Sequence, residues 1–155
     1  MSKTNAIRIL ESHGISHSVV EYESSEEELD AASVARKIGA DPDTVFKTLV
    51  ARGDRTGIVV FVIPGSAELH LKKAASASGN RSVEMIHLKE LLPLTGYIRG
   101  GCSPIGMRKA YPAFIDETAL VFDAVFVSAG QRGMQMRLAP ADLAAAAGAR
   151  FADVI

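Results

Sequence analysis

The sequence predicts an α/β (α+β) domain built on a mixed, mostly antiparallel, barrel-like sheet with helices around it. Three observations lead there. Short β-branched runs alternate with helical stretches, the two most apolar runs are joined by residues with turn chemistry, and the helical stretches carry recognisable start and stop signals. At 155 residues, with 48% hydrophobic and 23% charged side chains, the chain has the composition of a globular protein and the length of one domain, read here as 1–155.

The elements follow in order. Thr4 is a good N-cap, Ile7, Ile9 and Leu10 form a partly helical apolar stripe and Gly14 offers a stop, so residues 4–13 read as a helix. Residues 15–22 read as a strand. The stretch 21–30 carries six acids and no base, and like charges without alternation read as a loop. Residues 31–38 form a second helix closed by Gly39. VFKTLVA at 45–51, the turn-rich 52–57 and IVVFVIP at 58–64 read as a strand pair, apolar on both faces and therefore central. Residues 69–78 favour helix, 82–86 strand, and 87–92 a helix stopped by Pro93. Residues 96–106 hold four glycines and a proline and read as a shaped loop. Strands at 113–116, 125–130 and 133–139, a helix at 140–148 opening on proline and closing on glycine, and a last strand at 150–155 complete the chain.

Composition narrows the function. No apolar run approaches the roughly 20 residues of a membrane span, and the N-terminal stretch lacks a cleavable leader pattern, so a cytoplasmic protein is expected. Cys102 is the only cysteine, which removes an intramolecular disulfide and a cysteine-based zinc site. The four histidines are scattered, so no metal and no cofactor are expected. Net charge is −1, yet residues 71–110 hold seven bases against two acids, enough for a face that meets a few phosphates or for an ordinary solvated one.

Four features can carry chemistry. Lys47 sits among apolar neighbours, where an ammonium is costly unless paired or employed; the bland alternative is a stem lying on the sheet with its amine in water. Adjacent glycines in Gly100-Gly101-Cys102-Ser103-Pro104 let backbone N–H groups approach a carbonyl oxygen or oxyanion, while a tight surface loop is the alternative. Ser128-Ala129-Gly130 puts a hydroxyl at a strand end, a common place for binding groups. Cys102 has no histidine assignable as its base and reads as a packing residue.

In order along the chain, FKTLV at 46–50, FVIPG at 61–65, LKKAA at 71–75, VEMI at 83–86, LTGYIRGGCSPIGMRKAYP at 94–112, FID at 114–116, VSAGQRGMQ at 127–135 and LAPADL at 138–143 resemble the YbaK family of bacterial aminoacyl-tRNA deacylases. That family is related to the editing domain of bacterial prolyl-tRNA synthetases. The resemblance implies a mixed α/β barrel that hydrolyses the ester of a mischarged amino acid, with cysteine on proline tRNA, and on cysteine tRNA, as the best-known substrates. It implies Lys47 as the essential side chain, Gly100 as a backbone contact at the scissile carbonyl and Ser128 in the pocket. Tyr22, Thr48, Gly101, Pro104 and Gln135 are expected as substrate-binding residues. The implied partners are the acceptor end of tRNA(Pro) and, transiently, prolyl-tRNA synthetase.

The resemblance also implies that the substrate's own thiol attacks its ester, leaving the protein to orient and to stabilise charge. Two departures stand out: Leu29-Asp30 replaces a Phe-Gly pair of well-known cysteine-specific members, and Gln135 replaces an aspartate. They keep open an Ala-tRNA(Pro) deacylase of the same superfamily. A non-catalytic module that binds tRNA ends or a synthetase is the other alternative.

Overall fold

A computed structural model describes residues 3–155. Its frame is a hairpin: β2 (Phe46–Gly53) pairs with β3 (Gly57–Pro64) in antiparallel register from Phe46 opposite Pro64 to Gly53 opposite Gly57. The three-residue connection closes on Gly57 at φ 74°, a left-handed conformation suited to glycine. Behind it, buried Asn80 accepts from the N–H groups of Arg55 and Thr56 and donates to Thr56 Oγ1 and Ser78 Oγ, which fixes the turn.

On one side β2 pairs with the short edge strand β4 (Val83–Met85); on the other, β3 pairs in parallel with β5 (Ala113–Asp116), and β5 with β8 (Ala149–Ala152). A second, antiparallel sheet has the order β1 (Ser18–Glu21), β7 (Met134–Leu138), β6 (Val125–Ser128). A parallel bridge between Val45 and Phe126 brings the two sheets together at the entrance to β2. Four of the six strand pairings are antiparallel and two parallel, the expected mixed, mostly antiparallel character.

The main core lies between the sheets, where Phe46, Val62 and Ile115 face Val125, Val127, Met134, Met136 and Leu138. Helices α1 (Asn5–Ser12) and α5 (Pro140–Ala147) contribute Leu10 and Leu143 to it, both with no exposed surface. The opposite face of the hairpin carries Val59, Phe61 and Ile63, covered by α3 (Leu71–Ser78), Val154 and the Phe61–Phe114 stack, whose ring centroids are 5.9 Å apart. Strand β3 is therefore buried on both faces, the reason its sequence does not alternate.

Capping follows the sequence signals closely. Thr4 accepts from the Ile7 N–H and donates to the Ala129 carbonyl, tying α1 to the end of β6. Helix α2 (Ala31–Ile38) starts at Asp30 and stops at Gly39 in the left-handed region, as α3 stops at Gly79 and α5 at Gly148.

Some boundaries differ from the sequence reading. Pro93 does not stop a helix: α4 (Leu91–Thr95) contains it as its third residue, preceded by a 3₁₀ turn over Leu88–Glu90, and Gly96 ends it. A first-turn residue has no intrahelical N–H bond to lose, so proline is accepted there. The expected strands at 15–22, 82–86, 125–130, 133–139 and 150–155 become Ser18–Glu21, Val83–Met85, Val125–Ser128, Met134–Leu138 and Ala149–Ala152, because each extends only as far as its partner. The acidic stretch holds a 3₁₀ turn at Glu26–Glu28.

Asp116 has no exposed surface and locks the C-terminal segment to β5, its carboxylate accepting from Val154 N at 3.0 Å, Thr118 N at 3.1 Å and Thr118 Oγ1 at 2.6 Å. Asp116→Ala removes an acceptor and leaves buried donors unpaired, so it is expected to cost about 3 kcal/mol. Thermal unfolding should show a midpoint lowered by roughly 6–12 °C.

Candidate active site

The bridge that joins the sheets also creates a cleft. Residues Val45–Leu49 form one wall, the N-terminus of α2 with Leu29 and Asp30 a second, Arg99, Gly100 and Cys102 a third, and Ser128 and Gln135 the floor; the enclosed volume is about 300 Å³. That is space for a small acyl group.

Lys47 is half-buried and sits near the end of the hairpin opposite Ile63. Among the described residues it enters no ion pair. Thr48, its neighbour, and Gln135 each hold a buried side-chain oxygen with no hydrogen-bond partner, Thr48 Oγ1 and Gln135 Oε1. Gln135 is only 5% exposed and lies directly across the ladder from Ser128. Ser128 Oγ accepts from Gly130 N at 3.2 Å, which orients it at the strand end. Unpartnered buried acceptors are uncommon in folded proteins, and two lining one cleft mark where a ligand's donors belong.

The glycine-rich wall is rigid. Gly100 has φ 83° in a turn closed by Gly101 N donating to Ile98 O at 2.9 Å, and a Cβ on Gly100 would lie 2.8 Å from Leu29 Cδ2. A side chain there would be both strained and obstructed. Tyr97, buried, donates its hydroxyl to the Ile105 carbonyl at 2.6 Å, and Arg132 Nε donates to the Arg99 carbonyl at 2.8 Å. The Gly100 N–H finds no acceptor among the described residues.

Of the eight expected site residues, Lys47, Thr48, Gly100, Ser128 and Gln135 line the cleft. Three lie elsewhere. Tyr22 packs with Val34, Ala35 and Val45 behind the wall formed by α2. Pro104 faces a separate depression beside Ile9, Val60 and Tyr111. Gly101 has its N–H engaged by Ile98 O, and a Cβ on it would lie 3.0 Å from Arg132 N and from Gln131 Cα, so it serves the loop's shape and offers no donor to a ligand.

Sequence reasoning passed over Arg99, and saw Leu29 and Asp30 only as departures from a family pattern. Asp30 brings the one carboxylate in the cleft lining. Hydrogen bonds from the Ser33 hydroxyl and then the Ser33 N–H hold its carboxyl below the usual carboxylate range, so it is anionic at neutral pH. Its position just before an apolar helix is an N-cap signature, the one local signal for it. The basic excess at 71–110 is not all available for phosphates: Lys73 is bound to Asp153 and the Ile155 carbonyl. Among the described residues no three metal-ligating side chains cluster, and no helix is long and apolar enough to cross a membrane.

Lys47 and Thr48 on one wall, Asp30 on a second and Gln135 on the floor give this cleft a cation, an anion and two unpartnered polar atoms, a lining suited to a small polar acyl group. The chain belongs to the aminoacyl-tRNA editing domain family, whose model matches residues 25–146. It is 51% identical over 152 residues to EbsC of Enterococcus faecalis, a candidate Cys-tRNA(Pro)/Cys-tRNA(Cys) deacylase, covering 98% of this chain and 93% of that protein. The proline–tRNA ligase of Shouchella clausii matches 76% of this chain at 26% identity, across 20% of its own length. A crystal structure of a candidate trans-editing enzyme for prolyl-tRNA synthetase superposes with a TM-score of 0.85 at 30% identity, covering 99% of this chain and 98% of that one.

Burial pushes the Cys102 thiol up to about 12, so it stays protonated at any physiological pH and is a poor nucleophile. At pH 8, alkylation of Cys102 by iodoacetamide is expected to run roughly 10²–10³ times slower in the folded protein than in urea. Equal rates, followed by mass spectrometry, would contradict the buried thiol.

Proposed function

We propose that the chain is a free-standing aminoacyl-tRNA deacylase that removes cysteine from mischarged tRNA(Pro), and from tRNA(Cys), in the cytoplasm where tRNA is charged. The observation that carries this reading is the unpaired Lys47 ammonium beside the Gly100 turn, in a cleft that also holds Thr48 Oγ1 and Gln135 Oε1 without partners. Family membership and the candidate activity of the Enterococcus relative support the substrate class. Working in trans beside prolyl-tRNA synthetase, the protein reads the acceptor end and takes tRNA identity from its partner.

An aminoacyl ester offers the cleft three handles: an ammonium, a carbonyl and a side chain. The ammonium has only donors, which suits the Asp30 carboxylate and the acceptors Gln135 Oε1 and Thr48 Oγ1. The carbonyl oxygen, negative once attacked, suits the Gly100 N–H and the Lys47 cation. Ser128 bounds the side-chain space.

The nucleophile is the substrate's thiol. Its sulfur bonds to the ester carbonyl carbon, the carbon–oxygen ester bond breaks, and the leaving ribose oxygen takes the proton lost by the thiol. Water then opens the resulting thiolactone to free cysteine. The protein needs no base of its own for this, consistent with a cleft that holds no histidine. Size alone separates side chains by only about 1–3 kcal/mol per methylene, so rejection of alanine and serine rests on the missing thiol.

Two outcomes follow. Lys47→Ala is expected to slow release of cysteine from Cys-tRNA(Pro) by about 10²–10³-fold, the effect of removing one oxyanion-stabilising group. Full activity in that variant would remove Lys47 from the mechanism. Side by side with Cys-tRNA(Pro), both Ala-tRNA(Pro) and a serine-charged tRNA(Pro) should be hydrolysed at least about tenfold more slowly, a difference of 1.4 kcal/mol or more. Equal rates for serine would reject thiol assistance, and faster hydrolysis of alanine would make the protein an alanine deacylase.

A further inference from the structure

The cleft accounts for the amino acid and leaves the nucleotide unplaced. A second depression of about 400 Å³ adjoins it, sharing Leu29 and Arg99. Three large apolar side chains line it while facing solvent: Leu88 is 61% exposed, Leu92 48% and Ile98 48%. They come from the 3₁₀ turn, from α4 and from the turn that leads to Gly100. The first is held by the His87–Glu90 capping box and the last by the Tyr97 and Arg132 tethers, so this apolar surface is preformed. Nothing within the fold uses it.

Charge at its rim identifies the occupant. Arg99 has no carboxylate partner among the described residues. Arg132 is anchored through Nε to the Arg99 carbonyl, and among the described residues its carboxylate partner is exposed Glu26, at 3.7 Å. Two guanidinium groups beside an aliphatic floor match a phosphate beside a base. The volume suits one nucleoside, whereas a protein partner needs a far wider contact.

We infer that this depression seats the terminal nucleotide of the substrate, its base against Leu88, Leu92 and Ile98 and its phosphate on Arg99 and Arg132, with the shared wall of Leu29 and Arg99 passing the ester into the cleft. The inference rests on the deacylase reading for its substrate. Glu26 is the group a phosphate displaces from Arg132.

The probe is the 5′-phosphorylated trinucleotide CCA, titrated into the full-length protein and followed by amide shifts. Shifts are expected at Leu88, Leu92, Ile98 and Arg99. Leu92→Asp, at a half-exposed position, should weaken binding about tenfold, and Arg99→Gln should also lower the slope of log K against log salt by about 0.7. Glu26→Gln should tighten binding. With Cys-tRNA(Pro), Leu92→Asp should raise KM about tenfold with kcat changed less than twofold, whereas Val121→Asp, at an exposed apolar residue outside both depressions, should change neither. Trinucleotide shifts on another surface, an unchanged affinity in Leu92→Asp, or a dimer in sedimentation that buries Leu88 and Leu92 would each overturn the assignment. Binding here without hydrolysis of any charged tRNA would retain the nucleotide seat and remove the deacylase reading.

Discussion

The β2–β3 ladder is the constraint on which the rest depends. β3 is buried on both faces, so its hydrogen bonds and its apolar surface are both shielded from water, and it cannot shift register without exposing one set or the other. A charged residue on such a hairpin is tolerable only toward an end, and Lys47, one residue into β2, occupies that position. The same end carries the Val45–Phe126 bridge. The junction that closes the two sheets round one core therefore also brings Ser128 and Gln135 to face Lys47 and Thr48 across a cleft.

That cleft carries a local cost. Thr48 Oγ1 and Gln135 Oε1, buried without a partner in the fold, are local violations of polar satisfaction. Stable folds place such violations of polar satisfaction where a ligand restores the missing bonds. The cysteine beside them stays inert, since burial keeps its proton in place.

The glycine-rich segment reconciles close approach with rigidity. Four glycines in eleven residues would leave a free loop with high conformational entropy. Here the Tyr97 hydroxyl, the Thr95 hydroxyl accepting from Tyr97 N, and the Arg132 guanidinium tie it at three points. Among the glycines of this segment that line the cleft, Gly100 combines a positive φ with an N–H that finds no acceptor among the described residues. The aliphatic surface beside it is built from the neighbouring turn and α4, so the cleft and the second depression share one scaffold.

Local signals determined much of this protein without reference to distant residues. Thr4 opens a helix because its hydroxyl accepts from an N–H within one turn, Pro140 because its fixed φ fits the first helical position, and Gly39 and Gly148 close helices in the left-handed region. The hairpin was legible because its turn chemistry and β-branched runs are contiguous. Pro93 was misread because its effect depends on where in the helix it falls, and five strands were overlong because strand length is set by the partner. At the site, the residue pattern pointed to Lys47, Gly100 and Ser128 as candidates. Only the tertiary structure decided that Gln135 lies across from Ser128, that Asp30 supplies the anion, that Gly101 serves its own turn and that Tyr22 and Pro104 face elsewhere. Those placements follow from strand register and the meeting of two sheets, contacts between residues dozens of positions apart that no local backbone preference encodes.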